Sequence, residues 1–136
     1  MAKQTINIGT TANDGTGDPL RTAMDKVNDN FGELYAVAPE AKTFANPLAL
    51  DATDKKDFIC SPVTGDTTVN LSNMSNGDAG LIELIIDGTG GYTITLGTMF
   101  TKNSGGGTID ATANADNIIA WYRSGSDIIY SISQIS

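Results

Sequence analysis

Two periodicities divide the chain. Between residues 19 and 35, Leu20, Met24, Val27, Phe31 and Leu34 recur at intervals of four, three, four and three, with Ala23 alongside. That spacing puts them on one narrow helical stripe of the coiled-coil type, about two heptads long. Asp18 and Pro19 supply the start. The carboxylate is placed to accept from first-turn amides, and proline suits the first helical position because no amide hydrogen is needed there. Further along, the period becomes two. Tyr92-Thr93-Ile94-Thr95-Leu96 alternates cleanly and predicts a strand with one buried face. Leu81-Ile82-Glu83-Leu84-Ile85-Ile86 is apolar on nearly both faces. A central strand, or a face covered by another subunit, explains that. Other strands are expected at 57–60, 67–71, 107–111, 117–123 and 127–135. Turn signals such as Ser75-Asn76-Gly77-Asp78 and Ser124-Gly125-Ser126-Asp127 separate them.

The result is a mainly β protein with one N-terminal helix. Residues 1–40 form a first segment: a short alternating run, Thr5-Ile6-Asn7-Ile8, then a turn-rich loop, then the helix over 19–35. In the loop, Asn13, Asp14, Gly15 and Gly17 tolerate positive φ, so a compact ordered loop is expected. Residues 41–52, with Pro39 just before and Pro47 inside, read as a linker. Residues 53–136, with short strands at regular spacing, are expected to form a small β-sandwich of jelly-roll type. A helix this short is marginal alone, so its stripe must be buried. The partner is either the same chain's β-domain or copies of the helix. The stripe leaves both open, since it has fewer than the roughly three or four heptads that argue well for a coiled coil. The opposite face, with Lys26, Asn28, Asp29 and Glu33, reads as solvated.

Charge and composition mainly exclude. Sixteen acidic residues against eight basic give a net charge of −8, which repels phosphate backbones. The single cysteine, Cys60, lies in the apolar run Phe58-Ile59-Cys60 and reads as a buried small hydrophobe; an internal disulfide is impossible. Histidine is absent, which removes the commonest general base and metal ligand. No Ser-His or Cys-His pair can form, and a zinc site is not expected. Asp14, Thr16 and Asp18 alternate as calcium ligands do, but the further acidic ligand of an EF-hand loop is missing. Gly88-Thr89-Gly90-Gly91 sits between two strands with no helix after it, so it reads as a turn rather than a phosphate loop. Nothing in the sequence brings together the acid pairs Asp54 and Asp57, or Asp110 and Asp116, into the carboxylate pair of a glycosidase. Trp121 and Tyr122 are adjacent on one strand and point to opposite faces. One belongs in the core; the other, if at the surface, can stack on a sugar. No stretch approaches the roughly 20 apolar residues of a membrane span. Met1-Ala2-Lys3-Gln4 is not followed by the apolar run of a signal peptide, so a chain made and kept soluble in a cytoplasm is expected. No catalytic residue, metal or cofactor is expected.

One segment is more specific. Asn7-Ile8-Gly9, Asn13-Asp14-Gly15-Thr16-Gly17-Asp18, Leu20-Arg21, Ala23, Lys26, Asn28, Asn30-Phe31 and Glu33-Leu34-Tyr35 together resemble a segment recurrent in tail, baseplate and fibre subunits of tailed bacteriophages. Met24 stands where that pattern often has Phe, which keeps the apolar role. The C-terminal part resembles a second phage module, of tail-fibre and head-fibre proteins. It does so through Leu71-Ser72-Asn73, Gly77-Asp78-Ala79-Gly80, the run from Asp87 to Leu96, and Thr112-Ala113-Asn114-Ala115-Asp116 followed by Tyr130. The resemblance implies a non-enzymatic structural component of the virion: a short homotrimeric fibre or decoration protein on the head or tail. Residues 1–40 would then attach, through loop residues Asn13, Asp14, Gly15, Gly17 and Asp18. They would also trimerise, through Leu20, Ala23, Met24, Val27, Phe31 and Leu34. The implied partners are copies of the chain and other head or tail proteins. The alternative is a receptor- or glycan-binding module of a tail fibre, with a host-surface glycan as partner.

Overall fold

The computed structural model describes residues 4–35 and 38–135, with the side chains of 33–35 outside the description. The chain forms two compact units, one ending at Ala38 and the other beginning at Pro39.

The first unit holds an irregular segment and one helix, α1 (Leu20–Tyr35). The Pro19 carbonyl accepts from Ala23 N at 2.9 Å, closing the first helical turn. The Thr5–Ile8 run forms no strand ladder.

The second unit contains β1 (Glu40–Lys42), β2 (Leu48–Asp51), β3 (Phe58–Val63), β4 (Thr67–Ser72), β5 (Ala79–Ile86), β6 (Ile94–Leu96), β7 (Phe100–Asn103), β8 (Asp116–Ser124) and β9 (Asp127–Ile135). They build a six-stranded sheet, ordered β1-β3-β5-β8-β9-β7, and a three-stranded sheet, ordered β2-β4-β6. The chain therefore alternates between sheets through its first six strands. Each return stacks parallel on the previous coil: Glu40 aligns with Phe58, Leu48 with Val69, Phe58 with Ile82 and Thr67 with Ile94.

This is a β-solenoid-like arrangement and corrects the expected jelly-roll sandwich. A jelly roll pairs its strands antiparallel. Here each connection between paired strands passes through the opposite sheet and brings the chain back in the same direction, which makes the pairs parallel. In-out alternation is identical in both architectures, so the period of two does not separate them. After the coils, β8 runs antiparallel to β5 and β9, and β7 lies parallel to β9 at the edge.

Other differences are local. The stretch expected as a linker carries β1's end and the whole of β2, with Leu48, Leu50 and Ala52 buried. These strands are only three and four residues long, too short to show a period. Residues 107–111, expected as a strand, are irregular. Side chains satisfy their backbone instead of a ladder. Asn117, fully buried, accepts from Asp110 N and donates to Asp110 O, both at 2.8 Å. Gln134 donates to Thr108 O at 2.9 Å, and Asn103 to Gly107 O at 2.8 Å. Pro62 has no amide to give, and it lies where the β3–β5 register shifts, between Cys60 and Val63.

The core lies between the sheets. Leu48, Leu50, Val69 and Leu71 from the smaller sheet pack in one cluster with Phe58, Leu84, Ile119 and Trp121 from the larger. Cys60 is buried there, and burial pushes its thiol pKa up. Along β5, Ile82, Leu84 and Ile86 point inward while Leu81, Glu83 and Ile85 point outward. Along β8, Asn117, Ile119 and Trp121 point inward, and Tyr122 stands outside, 46% exposed.

Candidate functional site

The loop before α1 is organised by one carboxylate. Asp14 Oδ2 accepts from Thr10 N and Thr10 Oγ1 at 2.7 Å and from Thr11 N at 2.8 Å; Oδ1 accepts from Thr16 N at 2.9 Å. The Thr10 hydroxyl, and then the amides of Thr16, Thr11 and Thr10, hold Asp14 far below the usual carboxylate range. Such a tight ring needs left-handed backbone, found at Gly9 (φ 77°), Asn13 (φ 61°) and Gly15 (φ 71°). At Gly9 the space is also required: a Cβ there would meet Asp14 Oδ1 at 2.6 Å.

Asn7 and Asp18 close the neck of the loop. Asp18 N donates to Asn7 O at 2.8 Å, and Asn7 N donates to Asp18 Oδ2 at 2.9 Å. The Asn7 side chain donates to Thr16 O at 2.7 Å and accepts from Gly9 N at 3.0 Å. The expected helix cap is therefore otherwise engaged: the described partners of the Asp18 carboxylate are Asn7 N and Lys26 Nζ, the latter at 2.6 Å. The Lys26 hydrogen bond, followed by the Asn7 amide, lowers the Asp18 pKa.

Three helix positions tie the N-terminal segment down. Lys26 Nζ also donates to Thr5 O at 3.1 Å. Asn30 accepts from Gln4 N at 2.9 Å and donates to Gln4 O at 3.0 Å. Gln4 Nε2 donates to Asp29 Oδ2 at 2.7 Å. Lys26 and Asn30 are four apart and so share a face. This corrects the reading of the polar face as merely solvated, since Lys26 and Asp29 hold chain there. The bonding roles of Asn7 and Asn30 do not follow from the residues' place in the phage-like segment. The available signal was a pair of polar residues at helical spacing opposite an apolar stripe, downstream of an extended run.

The loop residues divide. Asp14, Gly17 and Asp18 are half-buried within this network, while Asn13 and Gly15 stand exposed at its tip. The apolar stripe lies largely in solvent: Leu20 is 78% exposed, Met24 48% and Phe31 52%. Ala23 and Val27 are half-buried. Leu34 lies outside the residues whose side chains are described.

The β unit offers turns rather than chemistry. Asp87 accepts from Thr89 N at 2.9 Å, Gly90 N at 3.0 Å and Tyr92 Oη at 2.9 Å, which makes the glycine-rich stretch an aspartate-centred turn. Of the acids paired in sequence, Asp110 and Asp116 line one cavity together with Asn114 and Gln134. Asp57 accepts from Leu81 N, and Asp110 from Thr112 N. Asp116 also neighbours Glu83, whose pKa is raised by burial first and then by the Asp116 charge and hydrogen bond. Among the described residues, no group of three or more His, Cys, Asp or Glu could hold a metal ion. Among the described residues, no helix is long and apolar enough to cross a membrane.

The family described as bacteriophage T4 gp9/10-like protein, N-terminal, matches residues 3–112. The baseplate wedge protein gp10 of Enterobacteria phage T4 is 36% identical over 80 residues. That match covers 51% of this chain but only 13% of the relative, so the chain spans a small part of its length. No solved structure matches significantly.

Proposed function

Because the chain belongs to the bacteriophage T4 gp9/10-like N-terminal family, we propose that it is a non-enzymatic structural subunit of the baseplate or tail, homotrimeric through α1 and attached through its loop. The family makes it a virion component, synthesised in the host. The relative's baseplate position speaks for the tail side over a head fibre or capsid decoration. In that role the Asp14-centred loop is the attachment element. It is rigid before docking, so little ordering entropy is lost on binding.

The observation that carries the trimer is the two-sidedness of α1. Lys26, Asp29 and Asn30 hold the chain's own Gln4 and Thr5, while Leu20, Met24 and Phe31, at coiled-coil spacing, face solvent. A parallel bundle of copies covers such a stripe and closes by point symmetry. Sedimentation at micromolar concentration should give three chains per particle. Val27→Asp should lower the mass towards the monomer, because a charge would be buried unpaired at the seam. A monomeric wild type, or an unchanged Val27→Asp oligomer, would refute the trimer through α1. Gold labelling on the virion tests the location.

The receptor- or glycan-binding alternative rests on Tyr122. That ring stands beside Ile129 on an apolar sheet face rather than in a polar cradle, which favours packing over sugar binding.

A further inference from the structure

The outward face of the larger sheet is unusually apolar. Register puts Ile59 beside Glu83, Glu83 beside Ile118, Leu81 beside Ala120 and Tyr122 beside Ile129, all away from the core. Leu81 is 45% exposed and Tyr122 46%; Ile59, Ile85, Ile118 and Ile129 are half-buried. Its polar positions include the Glu83–Asp116 pair and, on β9, Ser131 beside Ala120 and Ser133 beside Ile118. Glu83 holds its proton more firmly than an ordinary glutamate, and Asp116 Oδ1 is buried without a hydrogen-bond partner among the described residues.

Four adjacent strands about 24 Å long, spaced about 4.8 Å apart, give this face a footprint of roughly 450 Å². A free-standing partner of ordinary affinity needs about 800 Å² per side. The face is therefore too small to hold an untethered protein. It suffices for a partner already held nearby, because tethering makes the second contact effectively intramolecular. Residues 36–39 are all the chain between α1 and β1, a reach of at most about 14 Å, so copies joined through their helices would carry their sheets on short tethers.

We propose that the outward face of β3, β5, β8 and β9 is a second contact between copies of this chain, closing after the α1 stripe has brought them together. This rests on the trimer read from α1. Charges introduced here point away from the core, so the fold should survive them.

The test uses the full chain. Hydroxyl-radical footprinting should find Tyr122 protected in the wild-type trimer and at least fivefold more oxidised in Val27→Asp. Leu81→Lys with Tyr122→Lys should raise the trimer dissociation constant tenfold or more, with the circular dichroism and Trp121 fluorescence of the wild type retained. A monomeric wild type sinks this proposal together with its premise. A trimer whose Tyr122 oxidises as fast as in Val27→Asp sinks this proposal alone. So does an unchanged dissociation constant in the Leu81→Lys, Tyr122→Lys variant.

Discussion

At the scale of single residues, the asparagines and aspartates do most of the shaping, by replacing backbone partners with side-chain ones. Asp14 is the clearest case. Its folded pKa is depressed, so the stability it contributes is present above the ordinary aspartate value of 3.8 and is lost as pH falls below it towards the folded value. An acid titration should carry the amide shifts of Thr10, Thr11 and Thr16 unchanged through pH 3.8 and move them together only well below it. Movement centred well above that value would contradict the bonding described. Asn117 does the same work in the β unit, but buried. Asn117→Ala leaves two backbone groups of Asp110 without partners and should cost about 2–3 kcal/mol. Urea unfolding followed by Trp121 fluorescence measures that. Cap chemistry at Asp18 was legible in type but not in partner. A carboxylate before a proline suits a helix start equally with or without a lysine eight residues on, and only the returning chain brings Asn7 and Lys26 to it.

Among the elements, α1 is the one whose presence and phase are most readily read from sequence. Its stripe follows from spacing, which depends on the chain alone. Its other face does not, because Gln4 and Thr5 reach it from more than twenty positions away. Lys26→Met removes the bonds to Asp18 and Thr5. Amide exchange of residues 5–8 should then quicken by an order of magnitude or more, with helix content by circular dichroism unchanged. Equal exchange in both proteins would mean that Asp29 and Asn30 hold the segment without Lys26. Strands β3, β4, β5, β8 and β9 lie where alternation puts them. Strands β1, β2 and β7, at three or four residues, are formed by their neighbours rather than by their own pattern.

For the whole molecule, the solenoid stacks each coil on the previous one, so the middle of the stack bears the most packing. Leu84 lies fully buried on β5, aligned with Cys60 on one side and Asn117 on the other. Leu84→Ala should therefore destabilise the β unit by about 3 kcal/mol, within the range for buried leucines, as a shift in urea midpoint at constant slope. A cost below about 1 kcal/mol would mean that the layer between the sheets closes around the gap. The sequence by itself determined a mainly β chain with one helix, the alternation of faces along its longer strands, and the absence of histidine chemistry. Each of these is set by neighbours along the chain: a period, a composition, a turn residue. The tertiary structure alone decided that the coils stack in parallel, that Asp116 meets Glu83, and that α1 keeps one face for its own N-terminal segment. Those are pairings between residues far apart. A period of two says which way a side chain points; it does not say which strand lies beside it.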